Sequence, residues 1–108
     1  MLIFVYGTLK KGFQNNHVIS NGKLLGNHVT EPEFTMHDLG AYPSVCFDGN
    51  TAIHGEVWEV SDLVRTDYLE GYPGYYDRVQ IDTPFGDAWI YFLEACNEKV
   101  ISSGRWDR

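Results

Sequence analysis

Leu2-Ile3-Phe4-Val5-Tyr6-Gly7-Thr8-Leu9-Lys10-Lys11-Gly12 opens the chain, and its reading decides the fold. The run from Leu2 to Val5 carries only apolar side chains, the pattern of a strand buried on both faces. It breaks at Gly7, where the backbone is free to take positive φ or to approach a ligand closely. Thr8, Lys10 and Gly12 follow within one short loop. A buried strand ending abruptly in a Gly-Thr loop is a rigid mount for backbone N–H groups. Such groups, when no ladder uses them, hold small anionic or carbonyl-bearing ligands. The plainer reading of the same residues is a tight strand-to-turn connection with no ligand.

The rest of the chain sets the frame for that strand. Its 108 residues make one domain, 1–108, large enough to bury roughly 65% of its unfolded surface. Apolar content of 44% and aromatic content of 15% supply a core and exclude a disordered segment. A formal net charge of −7 argues against nucleic acid or an anionic membrane as partner, since both need clustered Lys and Arg. Only Lys10-Lys11 places two basic residues side by side. No segment has membrane-spanning length and no signal peptide is evident, so the protein reads as soluble and cytoplasmic. Cys46 and Cys96 lie in apolar contexts, which fits reduced, buried thiols better than a disulfide.

Outward from Gly12, Phe13 to Ser20 reads as a short helix ended by Asn21-Gly22. Lys23 to Glu31 reads as a strand with a bulge at Gly26, and Phe34 to Leu39 alternates as a half-buried strand does. Gly40 to Pro43 is a loop and Ser44 to Phe47 a strand. Asp48-Gly49-Asn50 has the chemistry of a hairpin turn. Ala52 to Val60 carries apolar groups on both faces and reads as a strand buried on two sides. Ser61 is a plausible N-cap, with Asp62 in the first turn, for a helix through Leu63, Val64 and Leu69 that stops before Gly71-Tyr72-Pro73-Gly74. Tyr75 to Asp82 and Ala88 to Leu93 are strands around the turn Thr83-Pro84-Phe85-Gly86, and Trp106 pins the last segment to the body. Six or so short strands with one clear helix predict an α+β domain with a curled sheet, a small mixed β-barrel with one or two short helices.

Among fifteen acidic residues, Glu70 is set apart by position. It ends the predicted helix, where the macrodipole disfavours negative charge, and the aromatic segment Tyr72 to Tyr76 follows and can shield it from water. Both effects raise its pKa, and a carboxylate tuned upward suits general acid–base work near neutral pH. The alternative is that Glu70 pairs with Arg65 or Arg78. The four histidines are scattered without ligand spacing, so no metal site is predicted. Ser44 lacks a Gly-x-Ser-x-Gly frame, and Cys46 reads as packing rather than nucleophile.

Tyr6-Gly7-Thr8-Leu9-Lys10 with Gly12, followed far downstream by Leu69-Glu70-Gly71-Tyr72-Pro73 and Tyr75…Arg78, resembles the γ-glutamylcyclotransferase-like family. Asn16, Tyr42-Pro43, Gly55-Glu56-Val57 and Ala88-Trp89-Ile90-Tyr91 fall where that family places similar residues. The resemblance implies a small mixed α/β barrel whose cavity opens at the end of the first strand. It implies that Tyr6, Gly7, Thr8, Leu9 and Tyr75 line a pocket for a γ-glutamyl group and that Glu70 is the acid–base. It implies a small-molecule γ-glutamyl substrate cyclised to 5-oxoproline with release of an amine, and no metal or organic cofactor. Two rival readings remain. One is a non-catalytic module that holds a small ligand in the same cavity. The other is an interaction domain that docks a partner through the Tyr72 to Tyr76 loop.

Overall fold

A computed structural model describes residues 1–94 and 99–107. The chain runs through β1 (Leu2–Val5), β2 (Lys23–Val29), β3 (Phe34–Asp38), β4 (Pro43–Phe47), β5 (His54–Glu59), the helix α1 (Val64–Glu70), β6 (Asp77–Ile81), β7 (Ala88–Phe92) and a two-residue β8 (Lys99–Val100). β1 is the middle strand of a five-stranded sheet of order β2-β5-β1-β7-β6, antiparallel to β5 and parallel to β7. β4-β3-β8 form a second, antiparallel sheet.

The apolar run of β1 explains its central place. Ile3 and Val5 pack with Trp58, Leu63, Tyr76 and Tyr91 on one side. Phe4 and Tyr6 pack with Phe34, Met36, Ile90 and Trp106 on the other. β5 divides in the same way, Val57 into one cluster and Trp58 into the other. The bulge in β2 falls between Leu24 and Gly26. Trp106 is buried and holds the final segment to the core.

The sheets do not close into a barrel. β2 and β6 are the outer strands of the five-stranded sheet, and their residues are polar and exposed at Lys23, Asn27, Asp77 and Gln80, which suits solvated edges better than a mating pair. The two sheets adjoin where the Leu93 N–H donates to the Val45 carbonyl at 3.0 Å.

Other expectations are corrected locally. In place of a helix over 13–20 there is one 3-10 turn, Asn16–Val18. The Asn15 and Asn16 side chains bond back to Thr8 and Leu9, and such local bonds compete with a helical ladder. Asp48-Gly49-Asn50 joins strands of different sheets, so it is no hairpin turn; Asp48 takes positive φ there, and Gly49 N–H donates to the Glu33 carbonyl. β4 begins at Pro43, which pairs with Asp38, and β5 begins only at His54. The start of α1 is served by Asp62, whose Oδ1 accepts from the Val64 N–H at 2.9 Å, rather than by Ser61. Cys46 is disulfide-bonded, against the expectation of reduced thiols; Cys96 lies outside the described residues. Among the described residues no helix is long and apolar enough to cross a membrane.

Candidate active site

β1 ends at Val5, and the next residues form a loop whose carbonyls from Gly7 to Lys10 are all in use. Gly7 O accepts from Lys10 N–H at 3.2 Å, Thr8 O from Asn15 N–H at 2.9 Å and Lys10 O from Phe13 N–H at 3.0 Å. Leu9 O accepts from Asn16 Nδ2 at 2.8 Å, and Thr8 Oγ1 from Asn15 Nδ2 at 2.9 Å. Among the described residues, the N–H groups of Gly7, Thr8 and Leu9 donate to no partner. The result is a stiff loop with spare donors. Glycine is required at position 7 by space, because a Cβ there would stand 2.7 Å from Pro43 Cγ.

Across the cavity stands the end of α1. The helix stops at Glu70 because Gly71 takes the left-handed conformation, φ 67° and ψ 36°, and turns its N–H back to the carbonyls of Asp67 and Tyr68. Glu70 is thus delivered beside the aromatic loop. Burial raises its carboxyl from 4.5 to about 7, in the direction expected, with desolvation as the cause. Pairing with Arg78 is excluded by geometry. Arg78 Nε donates to Asp67 Oδ1 at 2.9 Å and Nη2 to Oδ2 at 3.3 Å. Arg65 is exposed, and among the described residues the Glu70 carboxyl makes no hydrogen bond or ion pair.

A cavity of about 290 Å³ lies between the loop and the helix end. Glu70, Tyr6, Gly7, Thr8, Leu9 and Tyr75 all line it, so the six residues singled out in the sequence share one space. Its size matches the lower end of small-molecule sites, about 300 Å³. Sequence reasoning did not name Tyr76 as a lining residue, and it named Tyr42 and Tyr91 only as parts of motifs without placing them at the cavity. Tyr76 was signalled by the aromatic run it closes. Tyr91 was not, because a strand apolar on both faces offers no period to say which way a tyrosine points.

The tyrosines are donors, not bases. The Tyr6 hydroxyl donates to Tyr91 O at 2.8 Å and the Tyr76 hydroxyl to Pro43 O at 2.7 Å. Burial pushes both phenols well above their ordinary range, with nearby charge adding to it. Tyr75 is pushed up to about 12, first by its hydrogen bond with Tyr42, the two hydroxyls lying 3.0 Å apart. Glu70 is therefore the cavity group whose proton exchanges near neutral pH, facing a wall of neutral hydroxyls and a loop with free N–H groups. That arrangement can move a proton and stabilise a developing oxyanion.

The description "Gamma-glutamyl cyclotransferase, AIG2-like" belongs to the family model that matches residues 3–108. A Vibrio cholerae protein named as a candidate gamma-glutamylcyclotransferase is 43% identical over 109 residues, covering 97% of this chain and 94% of that protein. The solution structure of YtfP from Escherichia coli superposes with a TM-score of 0.78 at 38% identity, covering 98% of this chain and 96% of that one. The crystal structure of an uncharacterized protein from Pyrococcus horikoshii gives a TM-score of 0.79 at 27% identity, over 97% of this chain and 88% of that one.

Proposed function

The chain belongs to the gamma-glutamyl cyclotransferase, AIG2-like family, and on that premise we propose that it cyclises the γ-glutamyl group of a small γ-glutamyl amine or peptide to 5-oxoproline. One observation carries the proposal. The unpaired Glu70 carboxyl, raised by burial to about 7, shares its cavity with the donor loop at Gly7 to Leu9.

In the reaction, the ionised Glu70 takes a proton from the substrate's α-ammonium. The freed amine attacks the γ-carbonyl carbon of the same molecule, forming the ring C–N bond. Because both reacting groups belong to one substrate, much of the entropic cost of bringing them together is already met. Negative charge collects on the carbonyl oxygen and is held by loop N–H groups around Gly7 and Thr8. Protonated Glu70 then gives its proton to the leaving nitrogen, and the former amide C–N bond breaks. The ring nitrogen, which still carries two hydrogens, passes one through the freed carboxylate to the departing amine, which leaves as an ammonium. The carboxylate is regenerated. Tyr6, Leu9 and Tyr75 shape the walls around the γ-glutamyl group, and the scheme needs no metal or organic cofactor.

The test is 5-oxoproline release, read by mass spectrometry, from γ-glutamyl amino acids, γ-glutamylamines and glutathione. Product is expected from the wild type, and Glu70→Gln is expected to lose it, since an amide cannot exchange the proton. Undiminished turnover by Glu70→Gln would remove Glu70 from the chemistry. No product from folded wild type, together with a ligand-dependent rise in Tm, would instead establish a binding module.

A further inference from the structure

Glu70 sits on a helix with little hold of its own. α1 has seven residues, too few to persist in water by propensity, and Thr66 is its buried residue. The grip comes from Asp67, three residues before Glu70. Its carboxylate takes both prongs of the Arg78 guanidinium from β6 and the Tyr91 hydroxyl of β7, the latter at 2.6 Å. The same hydroxyl lies 2.8 Å from Thr66 Oγ1. The guanidinium is itself flanked by two rings, 4.2 Å from the centroid of Tyr72 and 4.5 Å from that of Trp89. Tyr72 N–H donates to the Asp67 carbonyl at 2.9 Å, which draws the chain after Glu70 to the same point. A forked, stacked guanidinium is fixed in position and direction in a way that an ammonium group is not.

We propose that Arg78 is a positioning residue for Glu70. Acting through Asp67, it fixes the last turn of α1, so that the Glu70 carboxyl stays in the cavity, unpaired and shielded from water. The inference rests on Glu70 being the acid–base. Asp67 also occupies the Arg78 charge, so that it is not spent on Glu70. The groups that face Glu70 are neutral phenols: Tyr6 from the end of β1, and Tyr75 and Tyr76 from the loop after the helix. Beyond them are Tyr42 from the β3–β4 loop, Tyr91 from β7, Arg78 from β6, and Arg65 and Asp67 from α1 itself. With the clamp loosened, the carboxyl gains water and no new anion approaches it. Its proton is then released at lower pH while its aim is lost.

Arg78→Lys keeps the charge and removes the fork; Arg78→Met removes both. Each variant is first checked for folding by circular dichroism. The pH profile of kcat/KM is then measured with a γ-glutamyl substrate the wild type cleaves. In parallel, the side-chain carboxyl carbons of 13C-glutamate-labelled protein are titrated by NMR, with the Glu70 signal identified by its loss in Glu70→Gln. For Arg78→Met, kcat is expected to fall on the order of 10²-fold with KM little changed, as misplacement of a reacting group costs. The acid limb is expected to move down from about 7 toward the ordinary carboxylate range. Arg78→Lys is expected to fall between the two, and carries the test if Arg78→Met does not fold. A folded variant with a lower Tm but unchanged kcat and an unmoved limb would overturn the inference, because a merely structural role predicts that result. Should the wild type release no 5-oxoproline, the cyclotransfer reading falls. The Glu70 NMR midpoint then decides separately: a drop in folded Arg78→Lys upholds the clamp, and a midpoint held near 7 overturns it.

Discussion

Burial raises the Glu70 carboxyl from 4.5 to about 7, so the folded chain holds a proton over a window in which the unfolded chain releases it. Below pH 4.5 the group is protonated in both states and costs the fold nothing. As pH rises through the window the folded state loses relative stability, and above 7 the full penalty of a shielded carboxylate remains. A shift of that size is worth at most about 3 kcal/mol, and residual contact with water trims it. Glu70→Gln carries no charge at any pH, so it is expected to be more stable than the wild type at pH 8 and equal to it near pH 4. Urea unfolding at the two pH values measures the gap; a gap that does not change with pH would contradict the burial argument. Gly7 makes a steric prediction at the same scale. An alanine Cβ would press on Pro43 Cγ and Cδ at 2.7 and 2.8 Å, and the Pro43 carbonyl is pinned by Tyr76. Gly7→Ala is therefore expected to cost about 1–3 kcal/mol and to disturb the adjacent donors. Thermal unfolding and a substrate titration read the two effects, and a variant with wild-type Tm and KM would show that the close approach is dispensable.

Elements were legible where sequence and surroundings ask for the same thing. β1 was readable because a run with no polar side chain has one comfortable place, the middle of a sheet with both faces covered. The end of α1 was readable because Gly71 can take the left-handed turn that stops a helix, and that stop leaves Glu70 beside the tyrosines. The segment from Phe13 to Ser20 was misread because its decisive partners lie outside it. Asn15 and Asn16 spend their amides on Thr8 and Leu9, and the donor loop is stiffened at the cost of a helix. The Asp67–Arg78 pair was equally out of view. Arg78 stood as a partner for Glu70 on sequence proximity, but only the placement of β6 against α1 decides which carboxylate its fork meets.

At the scale of the whole molecule, what the sequence left open is what depends on distant pairing. A count of short strands predicts a curled sheet, but it does not say that β2 and β6 end one sheet while β3, β4 and β8 build another. The Cys46 bond is of the same kind, since apolar flanks describe a buried thiol and a buried disulfide alike. The closing segment is the distant contact that local chemistry did announce. Trp106 is a large apolar ring in a polar tail, and it is buried among Phe4, Phe34, Met36 and Ile90. Its carbonyl accepts from Lys10 Nζ, and the nearby Gly104 carbonyl accepts from His54 N–H at 2.9 Å. The tail therefore ties together the donor loop, the start of β5 and the core between the two sheets. Trp106→Ala is expected to cost about 3–5 kcal/mol, the range for emptying a buried aromatic site. In a domain of this size that lowers Tm by roughly 15–30 °C. Trp106→Phe, which keeps most of the apolar volume, is expected to lose much less. Differential scanning calorimetry of the three proteins makes the comparison. Equal midpoints would mean that the sheets hold together without the tail, whereas the graded order wild type, Phe, Ala would show that the buried indole ties the tail to the core.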